Sequence, residues 1–351
     1  MRTYTAKLSL GESSILIGKN VIEALQDIGN NYVALCSNKI DFGIVKNLLD
    51  DSKIIFLEES EELKDFRKVF ELIRLINLKV KHELDCIIAI GGGTISDVAG
   101  FIASIYKRGI MLVNVPTTLL GMVDAALGGK NAINFDGIKN LLGTFYQPKL
   151  VLCDLRFLET LPTEEFKNGL AEVLKYCIIM DENFNSFMVS NREKVLACDE
   201  QVIEEMVYRS VSNKMAVVEK DERDDKELRI VLNFGHTIGH AIETGSMFKV
   251  KHGKAISFGM VCETYLASEL GIAEEDLEKR VIDLLSSYGL PVSIKELNCD
   301  ININLALEAL KWDKKRRNSL FKIPLPTRIG TWRLSDVDYN SLKSCFMRCL
   351  E

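Results

Sequence analysis

Four short runs constrain the fold most: Tyr32 to Ser37 (YVALCS), Lys53 to Leu57 (KIIFL), Cys86 to Ile90 (CIIAI) and Met111 to Val115 (MLVNV). Each is apolar almost throughout, not at every second residue, which suits strands buried on both faces. Long stretches of helical period, such as Glu61 to Val80, separate them. Buried strands alternating with helices are the signature of a parallel α/β sheet. Val151 to Asp154 (VLCD) is the last run of this kind. From Thr163 onward most of the chain has helical period. The boundary falls near 155–162, where LRFLETLP reaches a proline and Thr163, Glu164 and Glu165 open a helix. A length of 351 residues fits two domains. We expect an α/β domain over residues 1–160 and a mainly α-helical domain over 161–351.

The formal charge of −6 argues against nucleic acid as a partner; the KWDKKRR run at 311–317 is a local exception. No apolar segment reaches the roughly 20 residues of a membrane span, and MRTYTAKLSL is not a secretory signal. The nine cysteines are scattered and form no CxxC, so they read as reduced, mostly buried thiols of a cytoplasmic protein.

Three stretches carry chemistry. The strand at 86–90 runs into Gly91-Gly92-Gly93-Thr94-Ile95-Ser96-Asp97. A glycine turn between strand and helix lets backbone N–H groups approach a phosphate. As a dinucleotide fingerprint it is imperfect, GxGxxS in place of GxGxxG, and a plain tight turn would look the same. Asp97 reads as a residue of the helix's first turn, where the dipole favours an acid. Val115 to Pro148 is rich in Gly, Asn, Thr and Lys, including Lys130, Lys139 and Asn140, and suits an anionic, hydroxyl-rich ligand or an ordinary surface hairpin.

Arg229 to His252 (RIVLNFGHTIGHAIETGSMFKVKH) holds three of the four histidines: His236, His240 and His252. Were the segment one helix, His236 and His240 would share a face with Arg229 and Asn233. The HxxxH spacing lacks the glutamate after the first histidine that metalloproteases use, because Thr237 stands there. Upstream, Glu172 and Lys175 lie three apart on an apolar helix, either as an internal ion pair or as a carboxylate awaiting a metal. Glu172, His236 and either His252 or His240 would make a Glu-His-His set, the arrangement of a catalytic divalent metal with an open position. Lys130, Lys175, Lys214, Arg229 and Lys314 would supply cations for carboxylate and phosphate groups. Spacing and chemistry reach this far and name no reaction.

Nearly the whole chain resembles the 3-dehydroquinate synthase family. The matching blocks are GGGTISDVAGFIASIYKRG, VPTTLLGMVDAALGGKNAINF with KNLLGTFYQP, NGLAEVLKY, DERDDKELRIVLNFGHTIGHAIE, KHGKAISFGM and WDKK. The resemblance implies a Rossmann-like NAD-binding domain followed by a mainly helical metal domain, and a homodimer. It implies a cytoplasmic enzyme of the shikimate pathway that converts 3-deoxy-D-arabino-heptulosonate 7-phosphate to 3-dehydroquinate and phosphate through transient oxidation by NAD+. Its metal is zinc, with cobalt an alternative, and the ligands it implies are Glu172, His236 and His252. It implies proton transfer and phosphate contact for His240. Lys130, Asn140, Lys175, Lys214, Arg229, Asn233 and Lys314 match substrate residues, and Arg108 matches an arginine that reaches the phosphate across the dimer interface. Around NAD the matches are Gly92, Gly93, Asp97, Thr117, Thr118, Asp124 and Lys139, with Glu61 and Lys64 near the adenosine ribose and Thr160 toward the adenine. Three positions depart from the family pattern: Asn131 replaces a threonine, Cys177 a glycine, and Ser37-Asn38 lack an acidic nucleotide contact. Sister sugar-phosphate cyclases and metal-dependent polyol-phosphate dehydrogenases are the neighbouring alternatives.

Overall fold

The computed structural model describes residues 1–9, 11–80, 83–314 and 320–350, with the side chains of 312–314 excepted. In chain order the elements are β1 (Arg2–Leu8), β2 (Gly11–Gly18), β3 (Tyr32–Ser37), β4 (Ile54–Leu57), α1 (Phe66–Val80), β5 (Cys86–Gly91), α2 (Gly93–Ile105), β6 (Met111–Pro116), β7 (Lys130–Phe135), β8 (Ile138–Phe145) and β9 (Leu150–Asp154). There follow α3 (Arg156–Glu159), α4 (Thr163–Ile179), α5 (Glu182–Leu196), α6 (Glu200–Val218), α7 (His236–Gly245), α8 (His252–Glu269), α9 (Leu277–Ser287), α10 (Ile303–Lys314), β10 (Leu320–Arg328), β11 (Thr331–Asp338) and α11 (Tyr339–Cys349).

The chain divides into two compact units: residues 1–166 with 200–223, and residues 167–199 with 224–351. The first break lies a few residues beyond the sequence boundary. The expectation that everything after 161 belongs to the second unit is corrected by α6, which joins the first. Its contacts explain why. Glu219 accepts from the Tyr4 hydroxyl at 2.9 Å and from Lys7 N at 2.7 Å, Glu205 pairs with Arg2 at 2.5 Å, and Lys214 reaches Asp124.

Among the described residues of the first unit, seven strands form one sheet in the order β1-β2-β9-β6-β5-β3-β4. The β1–β2 pair is antiparallel and the rest are parallel, with Tyr32 opposite Cys86 and Ile88 opposite Val113. Strands β3 and β5 are buried at every residue, as runs covered on both faces must be. Helix α1 buries Val69, Leu72 and Ile76, spaced 0, 3 and 7, against Val33, Leu35, Ile87 and Ala89. Each such side chain contributes roughly 1.5–3 kcal/mol when removed from water. The chain leaves β3 for β4 on one side of the sheet and returns through β5 and β6 on the other. The loops after β3 and β5 therefore flank a topological switch point, where α/β sheets bind ligands.

The second unit packs α7 and α8 against the β10–β11 hairpin and α11 around Ile238, Ile242, Phe258, Leu266, Ile323, Leu325 and Phe346. The stretch from Arg229 to His252 is not one helix. Arg229–Asn233 forms a short 3-10 turn, Gly235 breaks it at φ 80°, α7 runs only to Gly245, and α8 restarts at His252. Gly235 is required twice over. Its φ is left-handed, and a Cβ there would lie 2.5 Å from Met260 Cγ. Arg229 and Asn233 therefore do not continue the His236 face as one-helix spacing suggested. No helix of the described residues is long and apolar enough to cross a membrane.

Candidate functional site

In the first unit a cavity of about 360 Å³ opens at the carboxyl ends of the strands, lined by Lys39, Asp41, Glu59, Thr117, Thr118 and Thr160 among others. Thr117 donates its N–H to Gly91 O at 3.0 Å, and Thr118 Oγ1 accepts from Gly121 N at 3.0 Å. Gly92 is the N-cap of α2, and its N–H meets Glu59 Oε1 at 2.9 Å. A Cβ at Gly92 would lie 2.5 Å from that oxygen and would displace the Glu59 carboxylate. Gly93 opens α2. Asp97 lies a turn inside the helix, not in its first turn, and its partner is a side chain: Lys64 Nζ at 2.6 Å. Burial raises the Asp97 carboxyl above its ordinary value, against the pull of Lys64. Lys64 also donates to Asn140 Oδ1, which brings the candidate nucleotide residues Lys64 and Asp97 together with a candidate substrate residue. Glu61 faces Lys139 at 3.8 Å and accepts from Asn134 Nδ2 at 2.8 Å.

Lys214, from α6, donates to Asp124 Oδ1 and Asp124 O, both at 2.7 Å. Lys130 starts β7, opposite Phe145. Arg108 is exposed at φ 70°, just past α2. Asn131, where the family pattern has threonine, is buried and donates Nδ2 to Gly129 O and Tyr146 O at 2.9 Å. It pins the base of the β7–β8 hairpin that carries Lys130, Lys139 and Asn140.

In the second unit, Glu172, His236 and His252 present ligand atoms all within 4.8 Å of one another. Glu172 Oε1 lies 3.3 Å from His236 Nε2 and 3.2 Å from His252 Nε2. Helix packing sets this convergence. Asn168, one turn before Glu172 on α4, accepts from Gly253 N at 2.6 Å and holds the start of α8 beside the carboxylate. The outer ring nitrogens are also engaged: His236 Nδ1 faces Phe234 O at 3.1 Å and His252 Nδ1 faces Glu243 Oε1 at 3.3 Å. With Nδ1 as donor, each ring turns its Nε2 lone pair inward, the second-layer support that metal-ligating imidazoles need.

Glu172 pairs with Lys175 as well, as the ion-pair reading of that spacing expects, while its Oε1 faces both imidazoles. Burial pushes the Glu172 carboxyl up, but Lys175, then His236 and His252, outweigh it and hold the group well below the usual range. Burial acts to lower His252, yet bonds to Glu172 and Glu243 push it up to about 10. A pocket that draws a proton onto an imidazole carries a negative potential suited to a cation. His240 stands at the rim, its ring centroid 5.4 Å from that of His236, and its side chain is 62% exposed. It also belongs to a second set of ligand-forming groups with Glu243 and His252. Loss of solvation, then the neighbouring His236, lowers its pKa, which access to water tempers.

Lys175 Nζ donates to Leu232 O at 2.7 Å, tying the turn that holds Arg229 and Asn233 to α4. Arg229 is buried and Asn233 exposed. The Lys314 side chain, and residues 315–317 of the KWDKKRR run, lie outside the described residues. Sequence reading missed Asp41, Glu59 and Glu243. Only Glu243 left a signal, its three- and seven-residue offsets from His240 and His236.

A family model described as 3-dehydroquinate synthase N-terminal matches residues 54–168, and one described as 3-dehydroquinate synthase C-terminal matches residues 169–316. The chain is 49% identical over 351 residues to the 3-dehydroquinate synthase of Sulfurisphaera tokodaii, covering 100% of each. It is 46% identical to that of Saccharolobus solfataricus, again covering 100% of each. A 2-deoxy-scyllo-inosose synthase complexed with carbaglucose-6-phosphate, NAD+ and Co2+ matches with a TM-score of 0.87 and 25% identity, over 99% of this chain and 100% of that one. A probable glycerol dehydrogenase from Sinorhizobium meliloti 1021 shares the fold at a TM-score of 0.61 and 16% identity, over 95% of each chain.

Proposed function

We propose that this chain, which belongs to the 3-dehydroquinate synthase family, converts 3-deoxy-D-arabino-heptulosonate 7-phosphate to 3-dehydroquinate and phosphate in the shikimate pathway. The observation that carries this reading is 49% identity across the full length of a named relative. Substrate and product differ by one phosphoric acid and stand at the same oxidation level, so any hydride removed must be returned.

NAD+ would supply reversible hydride transfer at the substrate's C5. The groups at the sheet's switch point suit a dinucleotide: a glycine N-cap on α2 beside the cavity, and threonine hydroxyls and carboxylates that can accept from ribose in its lining. Gly92, Gly93, Asp97, Thr117, Thr118, Asp124, Lys139, Thr160, Glu61 and Lys64 are the proposed contacts. Asp41 and Glu59 fill the acidic role that Ser37 and Asn38 lack.

A divalent ion, when bound, polarises the hydroxyl to be oxidised. Glu172, His236 and His252 would hold it, and one carboxylate with two oriented imidazoles fits zinc. Lys130, Asn140 and Lys214 in the first unit, and Lys175, Arg229, Asn233, His240 and Lys314 in the second, are the proposed substrate groups; Arg108 would serve a homodimer partner's phosphate. Their charges and fixed amides orient a flexible acid phosphate, so the chemistry becomes intramolecular. Asp124 fixes the Lys214 ammonium. His240, uncharged near neutral pH, is placed to accept or return a proton at the rim.

The test is an assay with the heptulosonate phosphate, catalytic NAD+ and zinc, following phosphate and NADH absorbance together. Phosphate and dehydroquinate without accumulating NADH is the expected result. Steady NADH formation, or no phosphate, would overturn the assignment. His240→Ala should slow turnover by about 100-fold or more, within the span of general acid–base catalysis, while equilibrium dialysis shows the metal retained.

A further inference from the structure

Helix α7 carries His236 and His240 but has no side-chain cap of its own, because its N-cap is Gly235. The first N–H groups of any helix lack intrahelical acceptors and must find others. Here the acceptor comes from a different helix. Glu263 lies on α8, eleven residues beyond His252, and is fully buried within the apolar run AISFGMVCETYLA. Its Oε2 accepts from Gly235 N at 2.7 Å, and its Oε1 from Thr237 N at 3.1 Å and Ile238 N at 3.3 Å. Burying an acid is costly unless it is hydrogen-bonded, and these three bonds at the positive end of a helix offset part of that cost. The backbones are pressed together at the same place: a Cβ on Gly259 would lie 2.0 Å from Gly235 O.

We propose that Glu263 is a positioning residue for the metal centre, capping α7 from α8 so that His236 and His252 are referenced to a single rod. One end of α8 supplies the ligand His252. Three turns along, the same helix clamps the two residues on either side of His236, which fixes the rise and rotation of α7 against Glu172. Among the described residues, no other side chain is bonded to these three amides. The inference rests on the reading of Glu172, His236 and His252 as metal ligands.

The test is direct titration of metal-free protein with Zn2+ and Co2+, the latter read by its visible absorption, for wild type, Glu263→Gln and Glu263→Asp. Glutamine keeps the shape but turns an NH2 toward N–H donors. Loss of such a supporting group typically weakens metal affinity about 10- to 100-fold. We expect that loss in Glu263→Gln, an altered Co2+ spectrum, and partial recovery in Glu263→Asp. Equal affinity in folded wild type and Glu263→Gln would overturn the proposal. Absence of binding by wild type would instead overturn the ligand assignment. Should Glu263→Gln not fold, amide exchange of metal-free wild type decides: Gly235, Thr237 and Ile238 should be as protected as the interior of α8, and fast exchange there would refute the cap.

Discussion

Gly100, in the middle of α2, has no room for a methyl group: a Cβ there would lie 1.9 Å from Asn131 Oδ1. Asn131 cannot easily move, because its amide holds Gly129 O and Tyr146 O at the foot of the β7–β8 hairpin. Gly100→Ala is therefore expected to cost about 1–3 kcal/mol, the usual range for overpacking. Most of that should return when Asn131→Thr is combined with it. A double-mutant cycle by thermal melting checks the coupling, and additive losses would show that the two residues do not meet as described. At this scale the sequence was readable where a residue type has one dominant use. Glu172 and the histidines stood out by rarity and by apolar surroundings. Asp41 and Glu59 did not, because single acids in polar loops have no spacing that marks them. Asn131 was visible only as a departure, and its role as a hairpin latch needs the neighbouring chain.

Between elements, α7 and α8 show where periodicity ends as a guide. His236 and His240 do share a face over one turn. The offsets to Arg229 and Asn233 mislead because Gly235 resets the helical phase. Strands β3, β4, β5, β6 and β9 were legible because burial in the sheet leaves few polar positions, and their bounds agree with the runs to within a residue, although the edge strand β4 leaves Phe56 exposed. The α7–α8 junction also predicts a pH dependence. Burial pushes the Glu263 carboxyl up to about 8 from 4.5, while its three N–H bonds pull it down. A carboxyl raised in the folded state binds more protons there than in the unfolded chain. Its stabilising contribution is then complete below about pH 4.5 and lost as pH rises through about 8. The slope approaches about 1.4 kcal/mol per pH unit. Metal-free wild type should thus lose its stability advantage over Glu263→Gln between pH 5 and 8, measured by denaturant melts. A growing advantage would mean that the N–H bonds outweigh burial.

Across the whole molecule, two units were foreseeable from the change of pattern near Thr163, but their membership was not. Helical period says that α6 has an apolar face, not which core receives it. Buried Val202, Met206, Val207, Val211, Met215 and Val218 on α6 would read the same against either unit. Polar partners place it with β1 and the turn at Asp124, among them those of Lys214, Glu204, Glu205 and, just past its end, Glu219. The first unit is consequently a closed circuit in which the polypeptide leaves at 166 and comes back at 200. A gene cut at residue 160 would not yield two autonomous proteins. A piece ending at 166 should expose the seat of α6 and be aggregation-prone or molten, detected by dye binding and loss of near-ultraviolet dichroism, whereas rejoining 200–223 through a short linker should restore cooperative melting. Inheritance follows the same topology: recombination that swaps one half of this chain for a relative's must carry two segments, not one, and cross over at three points to leave both halves whole.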